Sequence, residues 1–225
     1  MPWDDLLRTY VTDGAVDYKR WQTEAADVLD GWLAKVSTVN VEQLETAEGI
    51  VFLINLYNAV VVQQVLRQYP IESVRPEIGG LVPNWISFLS FFKKKVYCLN
   101  GRDVSLDNIE HDILRKRYAE PRIHFALVCA AKSCPPLRSG AYFPQQVFEQ
   151  LEEGAQQFVN NPEKVRYEAT QNVLFCSKIF DWYEKDFLTQ ANSVADYVQR
   201  YWQGSEFSPG VSVEYLPYSW ALNEQ

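Results

Sequence analysis

The sequence predicts an α+β fold, with long N-terminal helices packed on a small, mainly antiparallel sheet. Three observations lead there. An apolar run of helical period from Thr46 to Tyr69 is stopped by Pro70. The dipeptide Asn100-Gly101 sits between two short strand-like runs, and it supplies the positive φ angles of a hairpin turn. Helical patterns return near residue 178, and the strict strand–helix alternation of a doubly wound fold is missing.

Each element has its own signal. Leu6 to Val36 reads as helical, with apolar positions at Trp21, Ala25, Val28, Leu29, Trp32 and Leu33 after a turn at Asp13-Gly14. In the helix from Thr46, positions 48, 52, 55, 59, 62 and 66 share one face. Residues 69–84, rich in Pro and Gly, read as loop. Val96 to Leu99 and Asp103 to Leu106 form the arms of the Asn-Gly hairpin. A helix follows from Asp107, where Asp107 and Glu110 have capping-box spacing. A buried strand is expected over 122–129. Next comes an amphipathic helix over 144–160, with Val147, Phe148, Leu151, Ala155 and Phe158 on its apolar face. Strands at Val165–Ala169 and Val173–Cys176 flank a turn at Gln171-Asn172, and helices at 178–189 and 193–203 precede an extended aromatic tail, Val211 to Trp220.

The bulk numbers bound the function. The chain of 225 residues, 47% hydrophobic with seven Trp, thirteen Tyr and twelve Phe, can fill the core of one domain over 1–225, its centre at about 40–190. A net charge of −8 argues against nucleic acid, whose phosphates need clustered Lys and Arg. The basic run Lys93-Lys94-Lys95 reads as a solvated edge. Ile50 to Leu66 comes nearest to a membrane span, but Asn55, Asn58, Gln63 and Gln64 interrupt it. The acidic start, Met1 to Asp5, is unlike a secretory signal, so a soluble, cytoplasmic protein is expected, its four cysteines kept as thiols. No glycine-rich phosphate loop or paired-histidine metal helix appears, and no cofactor is expected.

Chemistry concentrates in Arg122-Ile-His-Phe-Ala-Leu-Val-Cys-Ala-Ala-Lys-Ser-Cys-Pro-Pro-Leu137, which holds one of two histidines and two of four cysteines. This run also carries a family resemblance. Glu48-Gly-Ile-Val-Phe-Leu-Ile-Asn-Leu-Tyr-Asn-Ala59, Leu106-Asp-Asn-Ile-Glu-His-Asp-Ile-Leu114, the stretch 122–137, Ile179-Phe-Asp-Trp-Tyr-Glu-Lys-Asp-Phe187 and Tyr215 to Asn223 together resemble the DUF547 family, a domain of unknown function. Leu53 stands where that family usually has Trp, and Ala130 where Gly is common. The resemblance implies a papain-like or transglutaminase-like core with a Cys, a His and an acidic residue as triad.

The residues then rank the members. In a regular strand His124 and Cys129 face opposite sides and lie roughly 16 Å apart, so they cannot pair. His111 comes from a separate element and is free of that constraint. A helical turn starting at Ala130-Ala131 would give Cys129 peptide N–H donors, whereas Cys134 precedes Pro135 and is biased toward extended backbone. Cys129 with His111 ranks first. Glu48 would orient the imidazole, with Glu110 as a rival explained by its cap position. Asn55 and Asn58 would donate to an oxyanion or substrate carbonyl, with Ser133, Cys134 and His124 lining the substrate side.

Bland readings stand beside each. Cys98 and Cys176 are small buried apolar residues of strands, His124 a satisfied core histidine, His111 a solvated one, and the two asparagines ties between helix and loop. Three functions are therefore in play. One is a cysteine-dependent hydrolase or acyl/peptidyl transferase acting on a small peptide, amide or thioester. Another is a non-catalytic binding module for a small peptide or thiol metabolite. The third is a zinc site built from His111, His124, Cys129 and Cys134, a loose match to known spacings.

Overall fold

A computed structural model describes residues 1–75, 77, 78, 82, 83 and 91–225. Part of the loop expected at 69–84 lies outside these residues. The chain divides into two compact units interleaved in sequence. The first comprises Met1–Ala119, Leu127–Val147 and Trp220–Gln225, the second Glu120–Ala126 and Phe148–Ser219.

The first unit is built on helices. Helix α1, Pro2–Tyr10, opens with proline in its first turn and Asp4 and Asp5 near its positive end. The turn expected at Asp13-Gly14 is present and divides the helical stretch over 6–36. Strands β1 (Val11–Thr12) and β2 (Ala15–Val16) pair around Asp13 and Gly14, both at positive φ. Gly14 is also required by space, because a Cβ there would lie 2.5 Å from the Pro136 side chain. Helix α2, Tyr18–Val36, restarts the pattern, and Asp17 caps it by accepting from the Arg20 N–H. Trp3 of α1 packs its ring against Trp21 and Trp32 of α2 at 6.1 and 5.8 Å.

Helix α3, Thr46–Gln68, matches its expected bounds. Glu45 and Glu48 close a capping box at its start. From Gly49 to Leu66 only Phe52 is not buried, so α3 is a core rod and not a two-faced surface helix. Its length and composition would suffice to cross a membrane, and 94% of its most apolar window is buried inside the protein. Gly49 admits the Tyr118 ring: a Cβ there would fall 1.8 Å from the Tyr118 hydroxyl.

The Asn100-Gly101 hairpin forms as expected, β5 (Tyr97–Leu99) pairing with β6 (Arg102–Val104) around two residues at positive φ. The helix after it begins differently. Ser105 and Asn108 exchange the reciprocal cap bonds, 3.0 and 3.2 Å, and Asp107 makes no cap bond. Asn108–Leu114 is then π-helical before Arg115–Tyr118 returns to α.

The second unit holds a three-stranded sheet, β7 (Val165–Glu168), β8 (Val173–Cys176) and β9 (Ser212–Tyr215). β7–β8 is the expected antiparallel pair, while the aromatic tail adds β9 parallel to β8. The amphipathic helix is present at Val147–Val159. The two helices expected after 178 are three shorter ones, Lys178–Trp182, Glu184–Phe187 and Val194–Gln199. Phe125, Phe158, Phe180, Phe187 and Tyr197 fill the core between them. The class is α+β, but among the described residues the strands lie in four small separate sheets instead of one, including a minimal pair, β3 (Glu77–Ile78) with β4 (Val82–Pro83).

The expected strand at 122–129 is absent. Glu120 accepts from the Arg122 N–H and opens a 3₁₀ turn, Pro121–Phe125, after which the chain runs irregularly to Cys129. An apolar run with no alternation fits either state, and Pro121 with the Glu120 cap selects the turn. The alternate-face argument that set His124 against Cys129 therefore has no basis in this segment.

Candidate functional site

The loop Cys129-Ala-Ala-Lys-Ser-Cys134 belongs wholly to the first unit and is closed by a disulfide between its two ends. This corrects the expectation of free thiols for that pair. Cys98 and Cys176 do remain free, the first exposed and the second buried. So Cys98 is not the buried strand residue expected of it. For Cys176 burial pushes the thiol up to about 12.

Bonds from two directions hold the loop. Asn58 of α3 accepts from the Val128 N–H at 3.0 Å, directly before Cys129. From the C-terminal segment, the Asn223 N–H donates to the Ala130 carbonyl at 3.0 Å, and the Lys132 N–H donates to the Ala221 carbonyl at 2.8 Å. Ala130 sits at φ 59°, so no helical turn starts behind Cys129 and the expected row of helix N–H donors is not formed. One peptide donor is present nonetheless: the Cys129 N–H points at the Cys134 sulfur, 2.8 Å away. Cys129 is partly exposed, Cys134 and Ala131 are buried, Lys132 is exposed, and Ser133 lies half-buried between them.

His111 lies in the middle of the π-helical stretch, which packs on α3. Its ring is partly exposed and takes a 2.8 Å contact from the Arg115 guanidinium at Nδ1. A guanidinium only donates, so Nδ1 must be the unprotonated nitrogen and the proton of the neutral ring sits on Nε2. Asp107 lies 3.8 Å from Nε2 and Glu110 3.9 Å from Nδ1. Glu110 is buried and makes no capping box, which removes the structural explanation expected for it.

Glu48 accepts from the Glu45 N–H at 3.2 Å on the exposed start of α3. It makes no hydrogen bond or ion pair with His111 among the described residues. Asn55 is spent on structure. Its oxygen accepts from the Trp3 indole at 3.2 Å and the Tyr142 N–H at 3.1 Å, and its amide donates to the Tyr142 carbonyl at 3.0 Å. Both asparagines are thus ties from helix to loop, and Asn58 is the one that reaches the cysteine segment.

His124 belongs to the second unit and is the satisfied core histidine its setting suggests. Its ring is buried, stacked on Tyr183 at 3.8 Å and edge-on to Phe187 at 5.6 Å. Nε2 lies 2.7 Å from an Asp186 carboxylate oxygen. Asp186 went unread in the sequence, although it stands in Ile179-Phe-Asp-Trp-Tyr-Glu-Lys-Asp-Phe187, one of the stretches that carry the family resemblance. Among the described residues no group of three or more His, Cys, Asp or Glu is arranged to hold a metal ion.

An open pocket of about 550 Å³ adjoins the loop in the first unit, lined by Pro70, Ile71, Glu72, Lys132, Leu222 and Glu224 among others. The family model described as "Protein of unknown function, DUF547" matches residues 41–159, more than half of the chain, and the chain belongs to that family. No curated protein and no solved structure matches it.

Proposed function

We propose that the chain is a cysteine-dependent hydrolase or acyl/peptidyl transferase acting on a small peptide, amide or thioester, with Cys129 as nucleophile once its bridge to Cys134 is open. The observation that carries this reading is the fixed backbone around a partly exposed sulfur, tied by Asn58 on one side and by Ala221 and Asn223 on the other. Precise support of a reactive group on bonded backbone is what nucleophilic catalysis needs. The Cys129 thiolate would attack the carbonyl carbon, and the imidazolium of His111 would protonate the leaving group. The π-helical setting of His111 supports this role, since such stretches recur at functional sites.

The acid is reassigned. For Nε2 to accept the thiol proton, the ring proton must first move to Nδ1 and Arg115 must swing away. Glu110, 3.9 Å from Nδ1, is then placed to hold that N–H, while Glu48 stays at the helix cap. The test is alkylation of the reduced protein across pH. Cys129 is expected to label faster than Cys98 near neutrality, and His111→Ala to abolish that advantage. Equal rates at the two cysteines, or an advantage lost in His124→Ala and kept in His111→Ala, would overturn the assignment. Turnover undiminished in Cys129→Ala would overturn the function.

A binding module for a small peptide or thiol metabolite is the second reading. Two observations favour it: both loop sulfurs are bonded to each other, and the Asn55 carboxamide is occupied. The pocket beside Lys132 would then be the seat. Titration calorimetry with small peptides and thiols, on protein whose Cys129 is inert after reduction, would support this reading over the first.

A further inference from the structure

We propose that the Cys129–Cys134 bridge is an exchange-active disulfide with a fixed polarity: a low-molecular-weight thiol attacks Cys129, and Cys134 leaves. The inference deepens the reading above by describing how its nucleophile is released, and it stands on the bridge alone, whether or not His111 acts.

Two independent observations set the polarity. The first is access. Cys129 is partly exposed, whereas Cys134 retains only 6% of its surface. An attacking sulfur must approach the sulfur it bonds to, and burial closes that route at Cys134. The second is stabilisation of the leaving group. The Cys129 N–H lies 2.8 Å from the Cys134 sulfur, so a charge developing there meets a peptide donor already in place. A hydrogen bond to the charged form favours the thiolate, and a better-stabilised thiolate leaves faster.

The loop is suited to keep both positions during exchange. The Ala131 carbonyl accepts from the Cys134 N–H at 3.0 Å, and the ties of Ala130 and Lys132 to the C-terminal segment do not involve either sulfur. Opening the bridge therefore leaves these three backbone bonds in place.

The chemistry balances with two equivalents of thiol. The first thiolate bonds to the Cys129 sulfur as the bond between the two cysteines breaks, and its electron pair goes to Cys134, which takes a proton from solvent. A second thiolate attacks the sulfur of the small molecule in the mixed disulfide. It leaves as the oxidised small molecule, and Cys129 departs as the free thiolate. The protein disulfide is reduced and two small thiols are oxidised.

The experiment uses the full chain carrying Cys98→Ser, so that the exposed free thiol does not compete, purified without reductant. Reduced glutathione is the probe. Acid quenching and peptide mapping are expected to find transient glutathione on Cys129 and none on Cys134. In Cys98→Ser/Cys134→Ser, oxidised glutathione is expected to modify Cys129 at least about tenfold faster than it modifies Cys134 in Cys98→Ser/Cys129→Ser. Circular dichroism checks that each variant is folded, and the mapping on the bridged protein decides the matter if one is not. Four free thiols in the untreated natural sequence, adducts mainly on Cys134, or a bridge opened only in denaturant would each overturn the proposal. Exchange at Cys129 without any turnover would leave it intact and overturn the hydrolase instead.

Discussion

His111 and His124 carry the same side chain and are held in opposite ways. His111 stands partly exposed on a π-helical stretch, its Nδ1 facing a cation, Arg115. His124 is buried among aromatic rings, its Nε2 facing an anion, Asp186. The first ring is about one-third exposed and has Arg115, Asp107 and Glu110 within 4 Å of its nitrogens. The second is locked by stacking and by a charge-assisted bond. Placement sets the difference: His124 is fixed inside the core of the second unit, whereas His111 stands partly exposed in the first.

Removing each ring breaks or sharpens that contrast. His124→Ala deletes a buried ring stacked on Tyr183 together with its bond to Asp186, so a loss of about 4 kcal/mol in denaturant unfolding is expected. His111→Ala should stay within about 0.5 kcal/mol of the parent. Similar losses for the two would erase the distinction.

Sequence patterns reached the elements whose cause is local. Helix α3 was legible because a long apolar run ends at a proline, and the Asn100-Gly101 hairpin because only a few residues accept its turn. The stretch 122–129 was not, since its apolar residues carry no period and the deciding features, Pro121 and the Glu120 side chain, lie just before it. The true cap at Ser105 was passed over for Asp107 because both begin a plausible box, and only the backbone selects between them.

For the site the limit was distance along the chain. The motif placed His111, Cys129 and Asn58 in view, but the partner of His124 is 62 residues away, and no spacing rule connects it. The same holds for Asn55, whose carboxamide is shared between Trp3 and Tyr142. A polar residue in an apolar helix announces that it needs partners, and it does not say which.

The buried amides of the first unit provide a neutral counterpart to the His124–Asp186 pair. Asn55→Ala removes three buried hydrogen bonds, one to the Trp3 indole and two to the backbone of Tyr142, and about 3 kcal/mol should be lost. Because no charge is involved, this loss should be the same at pH 6 and pH 8 in thermal unfolding. A pH-dependent loss would mean that the amide network is coupled to an ionising group.

Alkaline pH acts on the second unit through Cys176. Burial raises its thiol from an ordinary value of 9.0 to about 12, so the folded state keeps it neutral while the unfolded chain ionises. A raised value contributes stability below the unfolded pKa, and this contribution is lost as pH rises from about 9 toward 12. At pH 10.5 the loss should be about 2 kcal/mol. Comparing the chain with Cys176→Ala isolates the effect, since the buried tyrosines titrate in both proteins. A slope unchanged by that substitution would rule out the thiol as its source.

The smallest effect is the most telling about the acid. Glu48→Gln keeps an oxygen able to accept from the Glu45 N–H, so the capping box survives, whereas Glu48→Ala should cost about 1 kcal/mol. If Glu110 is the group that holds His111, the pH profile of Cys129 alkylation should be the same in Glu48→Gln as in the parent and should shift in Glu110→Gln. A profile moved by Glu48→Gln with stability unchanged would return the orienting role to the start of α3. The motion of Arg115 away from Nδ1 would then have to expose the ring to that end of the helix, on a face where the described residues give Glu48 no bond to His111.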